Sequence, residues 1–119
     1  MRSNKELLQA TYVSFNARDI EAVLATLHPD VDWPNGWEGG RLHGREDVRD
    51  YWARQWSAID PHVEPLNIED DEDGHTVVEV HQVVRDLAGN KVVDQIVHHV
   101  YSIENGFIER MDIREQPET

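Results

Sequence analysis

The chain has 119 residues, enough for one domain with a core and too few for a second. Its 24 acidic side chains outweigh 11 basic ones, and the formal charge of −13 sets up a field that repels phosphate backbones, so nucleic acid is excluded as an expected partner. No apolar stretch approaches the roughly 20 residues that cross a bilayer; no signal-peptide core follows Met1, and no cysteine can supply a disulfide, a thiolate ligand or a nucleophile. The expectation is a cytoplasmic protein without membrane contact, whose chemistry comes from carboxylates, histidines, tyrosines and tryptophans.

The first half of the chain reads as helical. Ser3-Asn4-Lys5-Glu6 has the S-x-x-E form of a capping box, and Leu8, Tyr12 and Phe15 recur behind it at helical spacing, predicting a helix to about Ala17. Asp19 can cap a second, shorter helix with the stripe Ile20, Val23, Leu24 and Leu27, stopped at His28-Pro29. Val31-Asp32-Trp33 is a short strand. Residues 34–44, rich in Gly, Asn and Pro, then form a loop long enough to be a lid, with Trp37 in its middle. A third helix follows Gly44, with Glu46 and Asp47 in its first turn and Val48, Trp52, Gln55, Trp56 and Ile59 at helical spacing, and it ends at Asp60-Pro61.

Four strand-like runs come next, at about 62–69, 76–86, 91–104 and 107–115, joined by turns that each hold the Gly or Asn favoured in hairpins. Successive hairpins predict an antiparallel sheet, and the helical stripes need that sheet to bury against. The expected fold class is therefore α+β: a cone in which three N-terminal helices pack on a curved antiparallel sheet, as a single domain over residues 1–119.

The hairpin of residues 76–103 gathers titratable groups. Pairing Asp86 with Asn90 around a three-residue loop places Val77 opposite His99, Glu79 opposite Val97, His81 opposite Gln95 and Val83 opposite Val93. In that register Glu79, His81, Gln95 and His99 share a face that reads as a pocket lining. Val78, Val80, Val84, Ile96 and Val100 share the other, apolar enough to predict a homodimer through it. Glu79 and His81 form a candidate acid/base pair, with a polar pair satisfying each other at the rim as the alternative, and His99 is a further candidate, with a buried histidine that hydrogen-bonds a helix as the alternative.

Trp33, Trp37, Trp52 and Trp56 crowd into one part of the chain and form an apolar wall. Trp33 and Trp37 border the loop and can stack on a flat ligand; Trp52 and Trp56, one helical turn apart, suit the core, with Trp56 kept as a wall candidate. Tyr101 and Met111 are expected on the inward face with His99 and Ile113. The acidic turn from Glu69 to Gly74 has the spacing of the start of a calcium loop, but the twelfth position is Val80 and strands flank it, so a solvated turn is the reading. Glu79, His81 and His99 lack a metal-ligand spacing signature, and neither a metal nor any other cofactor is expected.

The order of elements, with the stretches 12–24 (YVSFNARDIEAVL), 28–33 (HPDVDW), 44–48 (GREDV) and 99–108 (HVYSIENGFI), resembles the SnoaL-like branch of the nuclear-transport-factor-2 superfamily over nearly the whole chain. The resemblance implies the cone fold and a homodimer. It leaves the reaction open, because isomerases, dehydratases, cyclases, hydrolases and binding proteins share the scaffold. It puts His99 where ketosteroid isomerases hold a protonated aspartic acid in their oxyanion hole. Those isomerases carry their base aspartate directly before a proline, where this chain has Trp33; Asp32 lies one residue earlier and is a weaker candidate. Tyr12 likewise sits one position from the expected tyrosine and counts as a ligand contact. Two functions stand: an isomerase, dehydratase or cyclase working by acid/base chemistry on an apolar cyclic molecule, or a non-catalytic protein that binds such a molecule or dimerises as an accessory module.

Overall fold

The computed structural model describes residues 3–35 and 38–115. Helices α1 (Asn4–Asn16), α2 (Ile20–Leu24) and α3 (Gly44–Ala58) cover a six-stranded sheet of β1 (Leu27–Pro34), β2 (Arg41–His43), β3 (Ile59–Asp70), β4 (Thr76–Asp86), β5 (Lys91–Glu104) and β6 (Phe107–Glu115). The strand order is β2-β1-β6-β5-β4-β3, antiparallel except where β1 runs parallel to β6. The α+β class with three helices on a curved sheet is as expected; the sheet is mixed rather than purely antiparallel. Local hairpin signals cannot reveal a pairing such as β1 with β6, which joins strands distant in sequence. No helix among the described residues is long and apolar enough to cross a membrane.

Local chemistry explains the helix ends. The Ser3 hydroxyl accepts from Glu6 N while the Glu6 carboxylate accepts from Ser3 N, closing the capping box. Asp19 caps α2 by accepting from Ala22 N, and α2 closes at Leu24, so Leu27 opens β1 instead of completing a helical stripe. Part of the expected loop is the strand Arg41–His43, paired with residues 32–34 of β1. The Asn16 side chain then ties α1 to the sheet: its amide donates to Val63 O at 2.7 Å and its carbonyl accepts from Val63 N at 3.0 Å.

The β4–β5 hairpin has the expected turn and a different register. Asp86 N donates to Asn90 O at 2.8 Å, and Arg85 pairs with Lys91, but Val84 pairs with Val93. Val92 is therefore an extra residue on β5, a bulge that moves every later pair by one position. His99 faces Val78, Val97 faces Val80, and Gln95 faces Gln82; Glu79 and His81 face His98 and Ile96 on the opposite side of the sheet. The expected common face of Glu79, His81, Gln95 and His99 is thus split. Val78 and Val80 are fully buried under the helices and Val84 nearly so, which removes them from the outer face as well. Ile96 and Val100 remain there.

Candidate active site

A cavity of about 670 Å³ lies between the helices and the concave side of the sheet, within the size range of small-molecule sites. Its walls are mostly apolar, with Trp33, Trp52, Val97 and Met111 all buried against it. Trp33 packs edge-on against Trp52 with ring centroids 5.7 Å apart, and lies 6.4 Å from the ring of Tyr101. Alternation along β5 carries Gln95, Val97, His99 and Tyr101 along this surface from rim to floor, and Tyr12 reaches the floor from α1.

On the floor the Tyr12 hydroxyl lies 2.7 Å from His99 Nδ1 and 2.7 Å from the Tyr101 hydroxyl. Burial holds the His99 pKa down to about 4, helped by the nearby His98, so the ring is neutral at physiological pH. Burial pushes both tyrosines up, and neither phenol ionises there. Two proton orders satisfy these contacts, because either group of each pair can donate. If Tyr101 donates to Tyr12 and Tyr12 donates to Nδ1, both hydroxyl protons are used and the ring carries its own proton on Nε2. Nε2 has no hydrogen-bond partner among the described residues. Since the only buried unpartnered side-chain polar atom among them is Trp56 Nε1, Nε2 reaches accessible surface, and His99 lines the cavity. With the proton on Nε2 the arrangement offers one neutral N–H donor to an oxygen at the cavity floor, backed by a chain of two phenols.

A model of the SnoaL-like domain matches residues 8–111. The chain belongs to the SnoaL-like domain family. Comparison with curated proteins gives no match. Among solved structures, this SnoaL-like chain is similar to TerC, co-crystallised with polyporic acid, at 27% identity over 95% of this chain and 91% of that one, with a TM-score of 0.81. It is similar in fold to an NTF2-like protein of unknown function from Burkholderia pseudomallei K96243 at 24% identity, 98% and 92% coverage and a TM-score of 0.83. It also shares its fold with an LEH-like epoxide hydrolase of M. tuberculosis at 18% identity, 93% and 80% coverage and a TM-score of 0.77.

Within the SnoaL-like frame, Tyr12, Trp33, Gln95, Tyr101 and Met111 line the cavity with His99. Trp37 lies outside the described residues. Trp56 stacks on Trp52 at 5.8 Å beneath Arg18, behind the lining. The other acid/base candidates point away from the cavity. His81 Nε2 bonds Asp94 at 2.6 Å and Glu79 lies 3.7 Å from His98, all on the convex face because of the bulge. Asp32 is held by Arg41 at 2.5 Å and Arg110 at 2.8 Å and is not among the residues that line the cavity. Asp112 is the one carboxylate residue among the described lining, and it is paired with Arg110 and Arg41. Asp71, Asp73 and His75 bring ligand-type atoms within 4.8 Å of one another at the β3–β4 turn, where two backbone N–H groups already occupy Asp71 Oδ1.

Sequence reasoning missed two features of the site. Gln82 lines the cavity, and its only signal in the sequence is that it interrupts the alternating apolar series Val78, Val80, Val84. The Tyr12–His99 bond joins residues 87 apart, which no local pattern encodes.

Proposed function

We propose that the cavity binds a neutral, apolar, cyclic small molecule through a carbonyl or enol oxygen that accepts from His99 Nε2–H, without a cofactor. We further propose that the bound ketone is activated for isomerisation, dehydration or cyclisation. The observation that carries this reading is the buried chain from Tyr101 through Tyr12 to His99 Nδ1, at the floor of a cavity walled by tryptophans. A neutral donor held in an apolar site stabilises developing enolate charge more strongly than the same donor in water. TerC, similar in sequence and fold, was co-crystallised with an organic molecule, polyporic acid, which supports a small-molecule role.

The second reading, binding without catalysis, is favoured by a specific observation: Glu79, His81 and Asp32 are all turned away from the cavity, so among the described residues no free carboxylate stands ready there to remove a proton. Incubating 1-tetralone with the protein in D₂O tests both readings. Catalysis predicts loss of the ketone α-proton NMR signals at least tenfold faster with wild type than with His99→Leu. Equal rates with His99-dependent binding would leave only the binding reading, and no binding of 1-tetralone or polyporic acid would remove both.

A further inference from the structure

The Val92 bulge has an effect on the upper cavity wall. It sets Gln82 directly opposite Gln95 on the concave side, where both line the cavity and Gln95 Nε2 donates to Gln82 Oε1 at 3.0 Å. Without the extra residue Gln95 would oppose His81, and this stretch of wall would carry a titratable group. The bond between the two amides uses one donor and one acceptor. The two N–H groups of Gln82 and the second N–H and the carbonyl lone pairs of Gln95 have no side-chain partner among the described residues. Val84, Val93 and Val97 surround the pair, making it an isolated polar spot on an apolar wall.

Distance and charge narrow what such a pair can meet. Gln95 stands four residues from His99 along β5, about 13 Å at roughly 3.3 Å per residue. The charged lining residues Arg41 and Asp112 are bonded to each other at 3.0 Å, and the chain carries a formal charge of −13. The upper wall therefore presents hydrogen-bonding capacity of both kinds without charge, one molecule's length from the His99 donor.

We infer that the Gln82–Gln95 pair is a second binding subsite at the cavity rim, which selects ligands carrying a neutral hydroxyl or carboxamide about 10–13 Å from the oxygen seated at His99. Such a group both donates and accepts, matching Gln95 Oε1 and Gln82 Nε2 together. This inference rests on the proposed seating of a carbonyl at His99, and it defines the ligand as an elongated neutral molecule of two or three rings with a polar group at each end.

Two matched probes separate the subsite from the floor: 4-acetylbiphenyl, and the same ketone bearing a hydroxyl at the 4′ position. Affinities are read by calorimetry and by quenching of tryptophan fluorescence. Wild type should bind the hydroxylated probe five- to tenfold more tightly. Gln95→Leu and Gln82→Leu should each bring the ratio of the two affinities to about one, whatever they do to the affinity for 4-acetylbiphenyl itself. His99→Leu should weaken both probes equally. If both probes bind through His99 with no hydroxyl preference, or the preference survives in the leucine variants, the subsite is wrong and the cavity reading stands. If neither probe binds, the cavity reading fails and takes the subsite with it.

Discussion

His99 is folded into the protein as a neutral ring, and this ties stability to pH. Its pKa falls from 6.5 to about 4, first because burial removes solvent from the charged form and second because His98 is near. In the unfolded chain the imidazole takes up a proton as pH drops through 6.5, while in the native state it resists until about 4. The stabilisation is therefore complete above pH 6.5, is lost as pH falls through that window, and is gone below it, a total of roughly 3 kcal/mol. Urea unfolding of wild type and His99→Gln between pH 7.5 and 4.5 checks this, with the variant expected to show the shallower dependence. Parallel curves would mean that His99 is not the titrating group. At this scale the sequence was informative about which residues share a face and silent about their partners. Strand alternation alone places His99 and Tyr101 on one face. The hydroxyl of Tyr12 arrives from a helix whose docking depends on Asn16 gripping Val63, a contact that exists only in the assembled fold.

At the level of elements, one bulge decided which readings of the sequence survived. The turn from Asp86 to Asn90 was legible because the Asp86 carboxylate accepts from Ala88 N and Asn90 N, a local pattern that aspartate is suited to make. The extra residue two positions later was not legible, since Val92 is as good a strand former as Val93 and its neighbours carry no Gly or Asn to mark it. A shift of one position then exchanged Glu79 and His81 for Val80 and Gln82 on the concave face, where Val80 joins the core and Gln82 lines the cavity. The boundary between β2 and α3 shows the opposite case, a backbone requirement written plainly in the sequence. Gly44 has a φ of +83°, and a Cβ there would lie 3.3 Å from Pro29 O; Gly74 has the same φ with nothing within 4 Å. Both alanine substitutions incur left-handed backbone strain of about 1–2 kcal/mol, but only Gly44→Ala also presses on backbone. Chemical denaturation should rank Gly44→Ala as more destabilising than Gly74→Ala by about 1 kcal/mol. Equal losses would show that β1 yields to the added methyl group.

Across the whole molecule, the outer face of the sheet bears on the assembly we propose, a homodimer. With Val78, Val80 and Val84 turned into the core, that face keeps Val77, Val83, Ile96 and Val100, interleaved with the pairs His81–Asp94 and His98–Glu79. It is less apolar than the unbulged register implied, yet Ile96 remains 37% exposed at its centre. A mixed face of this kind suits an interface whose polar groups are already paired within one chain, because burying them leaves few donors or acceptors unsatisfied. The charge of −13 works against association, and its repulsion is screened over about 8 Å at physiological salt. The dimer should therefore tighten as salt is raised from 0.02 to 0.3 M, the reverse of an interface held by intermolecular ion pairs. Sedimentation velocity at micromolar concentration should show a species of twice the 13.8 kDa chain mass in 0.3 M salt, and Ile96→Lys should return it to the monomer without changing the fold seen by circular dichroism. A wild-type monomer at every salt concentration would remove the dimer. A dimer unaffected by Ile96→Lys would place the interface on another surface.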